Sequence, residues 1–536
     1  MIGGLLKSTS RYAILAAAGL LVVGVSKTPA KAADLGGDCC ADLEERVAEL
    51  EATTVRKTKR NMSITISGSV AKELLWWDDG AARRLDSVEL SPIPTRLRFD
   101  GTAKVNSTLS AGFALEFSAS SSEPGSRRVD QTFAQRGQLT QITNGITGTN
   151  PDGADGETRV RQGYIFLKDA KLGEVRLGHT NSVSGEVFGL DLSGATALTA
   201  PFQIENQGGG LFMRRSDVPG NAALVITGIP AGITNGTSPY SSASTIRWAN
   251  VLGDTQQARD GWRSQQIRYE TPTFMGFSVS GSYTSDNLID VGAKFANEYN
   301  GLRIAAGIGY TIDKDETSGA AGGATVCQTG STPSICAQNN VLPSPSGSID
   351  NRYLSIGGSL WHVPTGLFVS ANYFNKEWKG TATNITGAGP IAGATTPPGV
   401  QRPDSSNWQV VAGIKKNFFG IGPTNLYGEY AKSDDWLLGQ SKCFNGLGVP
   451  TGATGSCAAG GLNFTQVTTS EATTWGVGLI QTVDAANLDL FIGYRHYSAD
   501  IQGVTATTAN AAGFTGPIKA PLNDLSVIMT GARIQF

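Results

Sequence analysis

Three histidines, six cysteines and several arginines spaced two apart are the residues of this 536-residue chain best placed to do chemistry. His179, His362 and His496 come with neither a Gly-x-Ser-x-Gly nucleophile turn nor His-x-x-x-His metal spacing. No catalytic residue, metal ligand or cofactor is therefore assigned, and an enzyme is the losing alternative. The cysteines fall as Cys39-Cys40, then Cys327 with Cys336, then Cys443 with Cys457. The last four lie in Gly/Ser/Thr/Pro-rich stretches, and such short-range pairs in an exported chain read as disulfides stapling loops. In Thr95 to Gly101, Leu97 and Phe99 alternate with Arg96, Arg98 and Asp100. Side chains two apart on a strand share a face, so these charges project together into water. The same spacing puts Arg159 and Arg161 on a common face. Guanidinium rows backed by apolar rows suit selection by charge, not bond-making.

Such rows need strands to hold them. From Ser63 the pattern has period two: Ile64, Ile66, Gly68 and Val70 on one face, Thr65, Ser67 and Ser69 on the other. Similar alternation over Ser63 to Trp77 recurs at 96–104, 109–119, 159–168, 173–179, 263–270, 276–283, 302–310, 353–360, 367–373, 408–415, 426–431, 474–480, 488–497 and 525–536. One further strand is placed near Ile246, and an even number is required of a single-chain bacterial barrel, so sixteen is expected. Tight turns such as Asp169-Ala170-Lys171 and Thr271-Pro272-Thr273 alternate with long polar loops near 121–157, 312–350, 376–406 and 433–472. That asymmetry between rims, with 68 glycines and no run of eighteen apolar residues after the first segment, points to an all-β transmembrane antiparallel β-barrel. Trp76, Trp77, Phe274, Tyr310, Trp361, Tyr373, Phe374, Phe418, Phe419 and Trp436 lie near strand ends, as aromatic belts do.

The chain opens with Lys7 and Arg11, an apolar run from Tyr12 to Val25 and Ala30-Lys31-Ala32, the order of a secretory signal peptide over 1–32, cleaved before Ala33. The run is too short for a spanning helix, and Asp38 directly before Cys39 argues against a lipid anchor. Residues 1–32 carry four basic residues and no acid, so their removal takes the net charge from −2 to −6 and leaves no basic footprint for nucleic acid. Residues 33–60 form a separate segment, expected on the periplasmic side, with a short coiled-coil-like helix over 42–54 carrying Leu43, Val47 and Leu50. Arg56, Lys57, Lys59 and Arg60 follow it. Residues 61–536 form the barrel. Its last strand sets Ile528, Thr530, Ala532, Ile534 and Phe536 on one face and stops at Phe536.

These residues carry a family resemblance. Asp38 to Val47 followed by Met62 to Gly68 resembles the start of the alphaproteobacterial porin family, and Gly531 to Phe536 its end. Thr95 to Gly101, and Arg161 to Lys168 continuing through Gly173, Arg176, Leu177 and Gly178, resemble segments of general porins. The resemblance implies a homotrimer of sixteen-stranded, passive, water-filled channels in the Gram-negative outer membrane, open to small hydrophilic solutes and ions. It implies that the end strand with Phe536 is read by the barrel-insertion machinery, and that the wall contacts outer-membrane lipid and lipopolysaccharide. It places an inward-folded third loop near 179–212 and marks Arg96 and Arg161 as wall arginines of a pore constriction, with Arg98 beside them. Opposite stand Glu186 and Asp191 of that loop, with Glu205 a weaker candidate and Arg214 and Arg215 continuing the basic side. Two departures are visible: His179 where the family has Arg, and a long irregular stretch from Thr196 to Arg263. A substrate-specific channel is the nearest alternative. The Ala33-Asp34 start also resembles barrels joined to peptidoglycan through that end; a helix packed in the barrel mouth is the other reading of 33–60.

Overall fold

The computed structural model describes residues 62–90, 93, 95–118, 159–188, 190–195, 211, 213–217, 248–252, 263–284, 288–315, 349–378, 404–436, 464–505 and 518–536. The segment expected to be a signal peptide, the residues 42–54 expected to form a helix and all six cysteines lie outside them. The described chain is almost entirely strand: β1 (Met62–Asp78), β2 (Arg83–Glu89), β3 (Arg96–Lys104), β4 (Leu109–Ser118), β5 (Arg159–Asp169), β6 (Gly173–Asn181), β7 (Arg263–Glu270), β8 (Phe277–Thr284) and β9 (Leu288–Tyr299). Then come β10 (Leu302–Asp315), β11 (Ile349–His362), β12 (Leu367–Trp378), β13 (Ser405–Lys416), β14 (Thr424–Asp434), β15 (Phe464–Val483), β16 (Leu488–Thr505), β17 (Ile518–Lys519) and β18 (Leu525–Gln535). Two one-turn helices, α1 (Val183–Phe188) and α2 (Trp248–Leu252), lie between β6 and β7.

Eighteen segments make sixteen staves. The two ends of β1 pair with β2 and with β3, Asp78 opposite Arg83 and Met62 opposite Ala103, so β2 and β3 are one interrupted stave. Likewise β17 and β18 follow one another along β16. Between β2 and β3, Leu90 and Ile93 pack in the interior, and the Thr95 hydroxyl accepts the Ala71 N–H at 3.2 Å. That bond meets the backbone group the gap would orphan. β1 closes on β18 from Ser69 opposite Gln535 to Asp78 opposite Ser526. All neighbours are antiparallel and the closed sheet has no free edge, the condition for strands to cross lipid. No helix among the described residues is long and apolar enough to cross a membrane, which says nothing about crossing by strands.

Alternation supplies two surfaces. Along β1, Val70 and Leu74 point outward while Ser69, Ala71, Leu75 and Trp77 point inward. Ile165 and Leu167, Val279, Leu426 and Val477 continue the outer apolar band. The short connections, 105–108, 170–172, 271–276, 300–301, 363–366, 417–423 and 484–487, fall on the rim where β18 ends. At one of them Asn300 and Gly301 have φ of 48° and 77°, the pair of positive values a type I′ hairpin needs.

Two expectations need correction. Ile246, where a strand was expected, lies outside the described residues, and the described residues just after it, Trp248–Leu252, form a helical turn. The remaining stave is β9, where Ile289, Val291, Ala293 and Phe295 alternate with the inward Asp290 and Lys294. The aromatic belt also loses members. Phe274, Phe418 and Phe419 are exposed, but Trp77, Phe374 and Trp436 are buried, the last two stacked at 5.9 Å.

Candidate functional site

Three arginines of the β3–β5 wall converge on one carboxylate. Glu116, alone among apolar neighbours on β4, points inward with its side chain 4% exposed. Arg161 donates Nε to Glu116 Oε1 at 2.8 Å, Arg98 donates Nη1 to Oε2 at 3.1 Å, and Arg96 stands 3.6 Å from Oε1. Arg98 also forks onto Asp100 at 2.7 and 2.8 Å and reaches Gln162 at 3.1 Å. A planar guanidinium suits such bidentate contacts. Arg161 reaches Glu116 through a bulge: Glu116 pairs with Gln162 and Phe117 with Val160, leaving Arg161 as the extra residue. The side chain of Arg159, expected to share a face with Arg161, lies outside the described residues.

The loop from β6 to β7 folds along the opposite inner wall. In α1 the Ser184 N–H donates to Asp290 Oδ2 at 3.0 Å, the Ser184 hydroxyl bonds the same carboxylate, and Thr311 Oγ1 joins at 3.0 Å. Glu186 accepts Arg268 in a fork at 2.8 and 2.7 Å and Lys294 at 2.9 Å. Burial opposes ionisation of Glu186, but Arg268 and then Lys294 outweigh it, holding this loop carboxyl at about 2. Past α1, Asp191 accepts Ser370 Oγ at 2.7 Å and the Ser193 N–H at 2.9 Å. Leu192 N donates to Ser359, Lys415 reaches Leu192 O, and Asn425 donates to Ser193 O at 3.0 Å. The loop so crosses β9 to β14. The structure therefore sets Glu186 against β7 and β9, and Asp191 against β12. The carboxylate against Arg96, Arg98 and Arg161 is Glu116, which sequence reasoning missed. Its signal was a lone charge on the inward face of a strand that carries no other charged residue.

Arg214 and Arg215 return to the other end of the barrel: Arg214 donates to Asp79 at 2.8 Å, Arg215 forks onto Asp217, and Asn523 N donates to Arg214 O. Glu205 lies outside the described residues. Beside them Leu211, Met213, Trp248, Val251 and Leu252 pack on Leu75, Trp77, Tyr497, Leu525 and Val527 of the inner wall. The end of α2 is held by Asn407 and Ser433, which both donate to Leu252 O. This apolar plug fills one side of the interior next to β1, β16 and β18. Nearby, Arg495 and Glu429 form a fully buried pair. Among the described residues no cluster of metal-ligating side chains is present. The three histidines are dispersed: His362 bonds Thr365, His496 stacks at 5.5 Å on Trp475, and His179 lies in β6.

A closed sixteen-stave barrel with an apolar outer band, one short-turn rim and a loop folded into a charged interior defines a membrane-spanning channel of the outer-membrane type. A family model for Gram-negative porins matches residues 30–516, and the chain belongs to that family. It is an outer-membrane channel protein. No curated protein sequence gives a significant match. Similar solved structures include the anion-selective porin from Comamonas acidovorans, at 16% identity and TM-score 0.43, covering 89% of this chain and 100% of that one. OmpT of Vibrio cholerae in its trimer form is similar at 15% identity and TM-score 0.43, covering 89% and 99%. The DcaP channel of Acinetobacter baumannii follows at 12% and 0.42, covering 90% and 99%. At these scores the likenesses carry no argument, and the assignment rests on the family match.

Proposed function

We propose that this porin is a passive, water-filled pore for small hydrophilic solutes and ions, and that Arg96, Arg98 and Arg161 form the basic wall of its constriction. The observation that carries this reading is the convergence of these arginines on Glu116, while the inward loop and apolar plug occupy the wall from β9 round to β1. Solutes then pass beside the arginines. Glu186 and Asp191 serve the constriction from the far side by fixing the loop that narrows it. A fixed field of this kind biases passage without holding a solute, since unit charges at contact in a partly aqueous setting interact by only about 1 to 4 kcal/mol. The chain works as a homotrimer seated among lipid and lipopolysaccharide, inserted through its last strand.

Replacing Arg96 and Arg161 together by Ala tests the wall. In planar bilayers the variant has higher single-channel conductance and a selectivity shifted toward cations, because bulk and positive charge leave the narrow point. Reversal potentials identical to those of the unaltered channel defeat the assignment. Light scattering in mild detergent tests the assembly, and a single-barrel mass counts against the trimer.

A further inference from the structure

Charges on the inner wall are not evenly balanced. Where α1 docks, Arg268 and Lys294 face Glu186 and Glu270, and Asp290 holds Ser184 close by, two cations against three acids. Around Glu116 the balance differs. Arg96, Arg98 and Arg161 share Glu116 and Asp100. A fourth arginine, Arg263 at the first position of β7, pairs with Asn181 of β6, whose side chain accepts a hydrogen bond from Gln162, the neighbour of Arg161 on β5. Among the described residues its Nε is buried with no hydrogen-bond partner. Four guanidinium groups then stand against two carboxylates, an excess of two positive charges. Farther along the wall Lys168 and Arg176 share the single acid Glu174, so the excess continues toward the short-turn rim.

An excess of fixed positive charge on the wall attracts mobile anions from the pore water. Arg96 keeps 35% of its side-chain surface exposed and Arg161 18%, so a solute in the pore can reach the group. We infer that the channel prefers anions, and that Arg263 is a specificity-determining residue that joins Arg96 and Arg161 in a transient site for a small hydrated anion such as chloride or a carboxylate or phosphate group. This rests on the reading of the β3–β5 wall as the constriction. The site is weak because water competes for every donor, which is what a conducting path needs: entry is favoured and exit stays fast. One unit charge about 6 Å from the path, screened as in water, changes the local anion concentration roughly threefold.

The test uses the full-length channel in planar bilayers under a potassium chloride gradient, with heat-modifiable migration confirming folding. The unaltered channel is expected to pass chloride over potassium. The same charge depletes potassium about threefold, so Arg263→Gln lowers the chloride-to-potassium permeability ratio up to about tenfold, Arg263→Lys largely retains it, and Arg83→Gln, at the exposed tip of the first hairpin, leaves it unchanged. A conducting channel that prefers potassium, or a ratio unmoved by Arg263→Gln, overturns the inference and leaves the diffusion channel standing. The constriction reading fails separately, through unaltered conductance and reversal potentials in the Arg96/Arg161 double variant.

Discussion

Asp290 is the main anchor of the inward loop, and its removal tests whether that loop sets the pore. Its carboxylate, fully buried on β9, accepts the Ser184 N–H at 3.0 Å, the Ser184 hydroxyl, and Thr311 Oγ1 at 3.0 Å. Hydrogen bonds to a charged group contribute about 1.5–3 kcal/mol each, and three that share one acceptor are not additive, so Asp290→Ala weakens the anchor by about 3–5 kcal/mol. At about 1.4 kcal/mol per tenfold, detached arrangements of α1 become roughly a hundredfold to several thousandfold more frequent. The second anchor, Glu186 on Arg268 and Lys294, is untouched and keeps most loops docked. In single-channel recordings the variant shows frequent transitions between conductance levels where the unaltered protein is quiet, and limited proteolysis cuts between β6 and β7 sooner. The barrel itself keeps its heat-modifiable migration, because no strand pairing is lost. A variant as quiet and as protease-resistant as the parent refutes the idea that this cluster holds the loop.

Closure of the barrel gives a second prediction. Gly68 exchanges backbone bonds with Phe536, and a Cβ at this position would come within 2.6 Å of the Phe536 ring and of Arg96 O, so Gly68→Val yields less heat-modifiable folded protein and Gly68→Ala a milder loss. Peptide mapping of the native protein is expected to find Cys327 joined to Cys336 and Cys443 to Cys457; four free thiols would remove that pairing, and barrel insertion survives loss of the staples. Deleting residues 34–58 is expected to abolish co-sedimentation with purified peptidoglycan at normal conductance; normal sedimentation with altered conductance favours a plug in the barrel mouth and defeats the tether.

Much of the scaffold was legible from local pattern. A strand with one face toward lipid and one toward water must alternate, so Ser63 to Trp77, Arg96 to Lys104 and Leu525 to Phe536 declare themselves, and Asn300-Gly301 marks its hairpin through backbone sterics. Alternation also shows that Arg96, Arg98 and Asp100 share a face. It also runs through β9, which was overlooked: Ile289, Val291, Ala293 and Phe295 share the outer face while Asp290 and Lys294, which hold the loop, share the inner one. It is silent on neighbours in a pair. Trp76 and Trp77 cannot both face lipid, since period two turns one of them inward, and only the presence of Trp248 and Leu525 shows how Trp77 is covered. Above all, the sequence carries no register between distant strands. Which acid meets Arg161 depends on the β4–β5 bulge, and whether Glu186 meets Arg161 or Arg268 depends on the route of a loop across the barrel. Those choices belong to tertiary structure because many arginine–carboxylate pairs are chemically equivalent, and only closure of the barrel and packing of the loop decide which come within bonding distance.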